Sequence, residues 1–581
     1  MSKALFKVQV RTLERGRDVR TDRMLFSGML SKSPVLHLAT LLISFSTLMS
    51  AAPDYSPAFA QLNAAVKAEM EEYRIGGIAM ALTDCQNLIY SAGYGEAKFD
   101  SVFRAGSISK LFNAVAVLQQ VEAGKLDLDA PFATLPGAVA LENPFNQAGQ
   151  ITLRQILCHR SGIQREAPVG GYFDTTQPSL AATCESVGGC RVVTPPNAKT
   201  RYSNIAPSLA GQVVATVSGR SFEAYQQEHL LAPMGMKHSA WRLRDVPPEK
   251  LIVSHLRVAD GRGSFTHEQA PVFDLGTVPA GNLYSTAPDL AEFIIMLDAK
   301  GKGPHGRILK SDTLAEMTTP QLDPSSGFGL GFALGKLGDH EDIGHSGAVY
   351  GHSTALLYLP KSRLGVVVLA NEDIVNARVS KLANLALSLL LEIKTGERRS
   401  PSPQALSVPA KALHAYAGRW ESQSFWAEFS VSDGHLAGNF ASQPCVLTPT
   451  AADTFLLNSR IHDDVPVPFV RDDAGVVTGF TLGVQKFHRI AAKPVEFPHD
   501  WRPFLGSYGP RIIPLVIHEK WGHLYATTEN MVDYRLTPAS LNTFNLPPGM
   551  YDDEQVAFLA DKSGVIPSVR FASMILPRSA P

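Results

Sequence analysis

The chain has 581 residues, 45% of them hydrophobic and 18% charged, with a formal net charge of −1. That length predicts three or four domains, and that composition an ordinary globular protein with ample core. The near-neutral balance excludes the basic face that a nucleic-acid partner requires, and five cysteines are too few for a disulfide framework.

Residues 1–52 read as a secretory signal. Val35 to Met49 is an apolar run too short for a comfortable membrane span, and Ser50-Ala51-Ala52 supplies small residues for cleavage. The Arg-rich stretch before it is long for a leader, which points to translation starting at Met24 or Met29. The mature protein is therefore expected to be exported, periplasmic or secreted, without a stable membrane anchor. An amphipathic helix follows, apolar at Phe59, Leu62, Val66 and Met70.

Ser107-Ile108-Ser109-Lys110 opens a second helical stretch, apolar at Leu111, Val115, Leu118 and Val121 and closed by Gly124. Residues i and i+3 on a helix lie one above the other, so Lys110 reaches the Ser107 hydroxyl. Burial and the positive end of the helix dipole disfavour an ammonium there, which makes the lysine a base near neutral pH. This is the only S-x-x-K in the chain, as Tyr202-Ser203-Asn204 is the only Y-x-N and His345-Ser346-Gly347 the only H-x-G. Tyr202 precedes a helical stretch from Ala206 to Val217. His345 begins the first of two apolar runs, His345 to Tyr358 and Leu364 to Ala370, which read as an antiparallel hairpin. Ser285 and Thr286 are expected to cap a helix before Pro288. Cys184 and Cys190 lie close enough in the loop before Tyr202 to pair in an exported protein.

Lys394 to Lys411 is polar and proline-rich, a linker. Beyond it Gly418, Gly434, His435 and Leu436 recur at Gly506, Gly522, His523 and Leu524, an offset of 88; Leu447-Thr448-Pro449, Phe455, Phe469 and Gly475 recur 89 residues on. Both copies alternate apolar and polar residues over short runs, so each is expected to be a small β-barrel or strongly curved sheet. His340-Glu341 with His345, and His518-Glu519 with His523, place the second histidine five residues on, off the face a zinc site needs. No metal or other cofactor is expected.

These motifs, with FRAGSISKLFNAVAVLQQVEAGKLDLDAPF (Phe103 to Phe132), ITLRQILCHRSGI (Ile151 to Ile163) and GNLYSTAPDLAEFIIML (Gly281 to Leu297), resemble the serine β-lactamase-like family. That family includes class C β-lactamases, D-Ala-D-Ala carboxypeptidases, D-aminopeptidases and esterases. The resemblance implies an α/β hydrolytic domain of β-lactamase type: an antiparallel sheet flanked by helices, plus an all-helical part. It would occupy 53–393, with the linker at 394–411 and two lipocalin-like β units at 412–493 and 494–581. This arrangement is similar to that of bacterial D-aminopeptidases, in which a barrel loop narrows the active-site mouth.

The resemblance implies catalytic roles for Ser107 as nucleophile and for Lys110 and Tyr202 in proton transfer, leaving open which of the two is the base. Asn204, His345, Ser346, Gly347 and Ala348 would bind substrate, with the Ser107 and Ala348 backbone N–H groups forming the oxyanion hole. His345 would offer a hydrogen bond or, if protonated, a charge. The histidine departs from the Lys-Thr-Gly form of β-lactamases and occurs in peptidase members. The expectation is therefore an exported serine hydrolase of small peptide-like or ester substrates, of D-amino-acid peptidase or carboxypeptidase type. A promiscuous esterase or β-lactamase and a slowly acylating penicillin sensor are the alternatives.

Overall fold

The computed structural model describes residues 53–259, 265–323, 327–398, 403–490 and 495–579; the expected signal lies outside them. A six-stranded antiparallel sheet forms the centre of the first unit. Its order is Asn87–Gly95, Gly77–Asp84, Leu364–Ala370, His352–Leu359, His340–Val349, Ala333–Leu337. The strand Leu364–Ala370 is buried on both faces, which its unbroken apolar run already requires. One face packs on helices Ser56–Tyr73 and Asn376–Thr395 through Leu62, Val66, Leu382 and Leu390. The other packs on the larger helical core, including Phe112, Val115, Leu290 and Phe293.

The apolar run from His345 to Tyr358 is not one strand. It breaks at Tyr350-Gly351, where Gly351 sits at φ +76° and a Cβ would meet Ser254 Oγ at 2.6 Å, so the chain turns back on itself. The central sheet therefore gains a strand that alternation alone does not reveal.

Cys184 and Cys190 are not bonded to each other. Each thiol instead points at a carbonyl, Cys184 Sγ at Ser208 O (3.6 Å) and Cys190 Sγ at Ser186 O (3.9 Å). Thr286 does cap its helix, accepting from Asp289 N, whereas Ser285 lies in a short strand and bonds Ser239.

Beyond the linker, eight strands from Gly418–Glu421 to Gln485–Arg489 close into a barrel. The second β unit differs: its strands form one sheet of four and one of five, joined by a bridge at Tyr508 and Arg578. The repeated glycines fall at equivalent turns. Asp433-Gly434 and Trp521-Gly522 both have positive φ at the two hairpin positions (51° and 78°, 52° and 84°), the backbone a two-residue I′ turn demands. One continuous apolar core runs through both units and takes in Phe173 of the hydrolase unit, whose ring lies 5.6 Å from Phe571.

Asp533 ties the two β units together. It is fully buried and accepts from Trp426 Nε1 (2.8 Å) and Ser442 Oγ (2.6 Å) of the barrel, and from Thr527 Oγ1 (2.6 Å), with His518 Nε2 at 3.1 Å. Burial opposes its charge, but His518 and these donors win and hold the carboxyl near 2. A depressed carboxyl contributes stability above its unfolded pKa and loses it as pH falls through the folded value. Asp533→Ala is expected to lower the stability of the C-terminal region by about 3–5 kcal/mol in chemical denaturation. In the wild type, this contribution should hold at pH 5 and fade only between about pH 4 and pH 2.

Candidate active site

Ser107 lies in a single 3₁₀ turn, Gly106–Ile108, that feeds the helix Ser109–Glu122. Gly106 adopts φ +57°, and a Cβ there would sit 2.8 Å from Ala348 N. Glycine is thus required for the turn to lie against the strand His340–Val349. The same contact constrains the strand: a Cβ at Gly347 would meet Ala105 O at 2.1 Å. Thr354 Oγ1 donates to Ala105 O (2.9 Å) and Asn376 Nδ2 to Gly347 O (2.8 Å), locking turn and strand together. Gly347, read from sequence as substrate-binding, owes its identity to this backbone approach. Ser346 and Ala348 point outward. The strand pairs with Ala333–Leu337 only as far as Gly344, so among the described residues positions 345–349 present an open edge to the cavity.

Lys110 is 2% exposed. Its Nζ is 2.9 Å from Ser107 Oγ, 2.8 Å from Asn204 Oδ1 and 2.8 Å from Ala280 O. Desolvation, then the nearby Arg165 guanidinium, pulls its pKa well below the usual lysine range. A neutral amine has two protons to donate and one lone pair. Asn204 Oδ1 and Ala280 O can only accept, so in the neutral form the lone pair is left for Ser107, whose O–H then donates to it, whereas in the ammonium form Nζ donates to all three. Asn204 is held in this orientation because its Nδ2 donates to Glu166 Oε1 at 2.5 Å.

Tyr202 shares a hydrogen bond with Ser107, and burial pushes its phenol up to about 12. Its ring lies 4.8 Å from Lys110 Nζ and 5.6 Å from Arg165 Cζ, and His159 packs on it at 4.3 Å. His345 Nδ1 is 2.5 Å from Ser346 O, so the proton is on Nδ1 and the buried Nε2 is left as a bare acceptor without a partner. Burial, then Lys110, lowers the ring to about 4. His345 therefore offers a hydrogen-bond acceptor near neutral pH, the uncharged one of the two alternatives read from sequence.

Ser107, Tyr202, Asn204 and residues 345–348 line one cavity of about 440 Å³. Much of its remaining wall comes from the β units: Ile461 from the barrel, and Ile512, Ile513, Thr528 to Met531 and Met550 from the second unit. Sequence reading missed these residues and also Arg165, Glu166, Arg257, Asp373 and Glu529. Only Arg165-Glu166 carried a signal, a charged pair directly after the segment Ile151 to Ile163. Burial, against the pull of Arg165, raises Glu166 to about 7.

A model of the beta-lactamase family matches residues 62–390, more than half of the chain, and the protein belongs to that family. By family and fold it is a serine hydrolase, a β-lactamase-type domain followed by all-β units. The chain is 27% identical over 371 residues to Penicillin-binding protein 4 of Amycolatopsis lactamdurans, covering 60% of this chain and 94% of that one. It is 23% identical over 441 residues to Beta-lactamase-like protein 2 of Dictyostelium discoideum, covering 71% and 78%. The octameric penicillin-binding protein homologue from Pyrococcus abyssi shares the fold, with a TM-score of 0.51 and 22% identity over 74% of this chain and 99% of that one.

Gly347→Ala is expected to push the strand off the Ser107 turn and reduce kcat/KM by about 10²–10³-fold, the loss of one oxyanion donor. Near-wild-type kcat/KM in a folded variant would show that the close approach is dispensable.

Proposed function

We propose that this protein is an exported hydrolase that cleaves amide or ester bonds of small peptide-like substrates through an acyl-enzyme on Ser107, with D-amino-acid peptides as favoured substrates. The observation that carries the reading is the buried Lys110 Nζ held 2.9 Å from Ser107 Oγ, at the cavity that Ser107 lines. Lys110 takes the Ser107 proton as Ser107 Oγ attacks the carbonyl. The developing oxyanion is met by the backbone N–H groups of Ser107 and Ala348. Tyr202, a neutral phenol near neutral pH, then passes a proton to the leaving amine or alkoxide and is replenished from Lys110. Water enters by the reverse path and releases the acid.

The cavity of about 440 Å³ favours small substrates, and the resemblance to D-aminopeptidase architecture favours D-amino-acid peptides. A free amino group is favoured by Glu529. Its carboxylate lines the cavity, its Oε1 takes Tyr551 OH at 3.1 Å and Arg165 Nε at 3.4 Å, and its buried Oε2 has no partner. A substrate ammonium in the cavity is attracted by this carboxylate. Export rests on the apolar run before residue 50 and is checked by the N-terminus of the mature protein.

Intact-mass spectrometry after exposure to a fluorophosphonate and, separately, to a penicillin tests the reading. An adduct on wild type that is absent in Ser107→Ala is expected; folded wild type with no adduct from either reagent overturns it. A long-lived penicillin adduct would instead support slow acylation in a sensor. Glu529→Gln is expected to raise KM about 10-fold for D-alanine p-nitroanilide while leaving the N-acetylated substrate little changed. Equal effects on both would remove Glu529 from amine recognition.

A further inference from the structure

The cavity that holds Ser107 extends to Arg257 and Asp373, residues outside the chemistry described above. Arg257 lies on the strand His255–Ala259, and Asp373 follows the central strand Leu364–Ala370. The two meet through the backbone: Arg257 N–H reaches the Asp373 carboxyl oxygens at 3.2 and 3.4 Å. The Arg257 guanidinium gains nothing from that bond. Its Nε is buried without a hydrogen-bond partner among the described residues, and its ion pair with Glu372 Oε1 spans 4.0 Å. Glu372 is engaged elsewhere, by Arg460 Nη2 at 2.7 Å and His267 Nε2 at 2.8 Å. The guanidinium lies on the face of Phe265, 4.1 Å from its centroid, which fixes its plane but supplies no counter-charge.

Charge in this corner is unbalanced. Arg74, Arg257 and Arg460 face Glu372 and Asp373. Burial, with the neighbouring Glu372, raises the Asp373 carboxyl to about 8, so near neutral pH it is largely protonated. Burial, then Arg460, lowers Arg257 to about 10, which leaves it charged at neutral pH. With Asp373 protonated, Glu372 is the carboxylate left to the largely buried Arg257 and Arg460, Arg74 being exposed to solvent. Leu256, Ile374, Ile461 and Ile512 also line the cavity, and apolar walls strengthen any ion pair formed there.

We propose that Arg257 is the binding site for a carboxylate carried by the substrate, so that the enzyme takes peptide-like molecules with a free acid group. The inference rests on the Ser107 hydrolase reading and deepens it. The guanidinium presents a planar donor fork to a carboxylate, and protonated Asp373 donates a further hydrogen bond to it. With Glu529 lining the same cavity, both an acidic and a basic side chain are present for the two charged ends of an unblocked short peptide.

The test is protection of Ser107 from fluorophosphonate labelling in the full chain, with D-alanyl-glycine and D-alanyl-glycinamide as protectants. These differ only in the terminal carboxylate. In wild type the acid is expected to half-protect at a concentration at least about 10-fold below that of the amide. Arg257→Gln should bring the two within about 2-fold, and Arg257→Lys should keep an intermediate preference, since it retains charge but not the fork. Equal protection by acid and amide in wild type, protection by neither, or an acid preference that survives in Arg257→Gln overturns the proposal. If Arg257→Gln does not fold, the wild-type ratio and Arg257→Lys decide. Absence of labelling on folded wild type is a different result: it removes the serine-hydrolase reading and the subsite with it.

Discussion

A buried lysine held against a serine hydroxyl is the constraint on which the rest of this structure depends. In water a lysine is an ammonium at every physiological pH and has no lone pair to offer. Here desolvation of Lys110 does most of the work, helped by Arg165. In the neutral form the two fixed acceptors, Asn204 Oδ1 and Ala280 O, leave the lone pair to Ser107. Each of these features requires others. Ala280 is brought in by the short helix Val278–Gly281 packed against the nucleophile helix. Asn204 is oriented by Glu166, a buried acid that burial raises to about 7 and that opposes the lowering of Lys110 when ionised. The surrounding charges are balanced against one another within a few ångströms.

The β units belong to this arrangement physically. The segment leading into Tyr202 is held by the second unit: Arg201 forms a buried ion pair with Glu554, whose carboxylate also accepts from Arg165 N at 3.1 Å. Arg165 stacks near Tyr202 and reaches Glu529 of the same unit. Breaking one partner of a buried pair costs about 3–5 kcal/mol because it strands the other charge. The catalytic groups and the C-terminal region are therefore coupled through buried electrostatics as well as through the Phe173–Phe571 contact. Asp533, at the foot of the loop that delivers Glu529, fixes that loop to the barrel.

The same region determines what enters. The open edge at residues 345–349 alone would accept an extended chain. The residues 512–514 and 528–531 of the second unit close over it and convert an exposed groove into a cavity. Its apolar lining carries isolated charged groups, which select more sharply than they would in water because an unmatched charge there has no solvent to compensate it.

Much of the chemistry was legible in the sequence because it is local. Ser107 and Lys110 are three residues apart, and helix geometry brings them together whatever else the chain does. The tyrosine and histidine motifs were legible as unique short strings in a fitting order. The β repeat showed itself through glycines that only positive φ explains, at Gly434 and Gly522. The break at Gly351 escaped because the run on either side is equally apolar, and a glycine turn within it leaves no change of period. The protonation of His345 also escaped, since it depends on burial beside Lys110 and not on its neighbours in sequence.

What only the tertiary structure decided is everything that depends on groups hundreds of residues apart sharing one low-dielectric space. Arg165 meets Glu529 and Arg201 meets Glu554 because the second β unit folds back onto the hydrolase, and Arg257 meets Asp373 within the hydrolase unit itself. The sequence by itself determined that Ser107 and Lys110 come within reach of each other, and it determined the class of fold, since these follow from short-range spacing and periodicity. Charge state and the walls of the site follow from burial, which is a property of the packed whole.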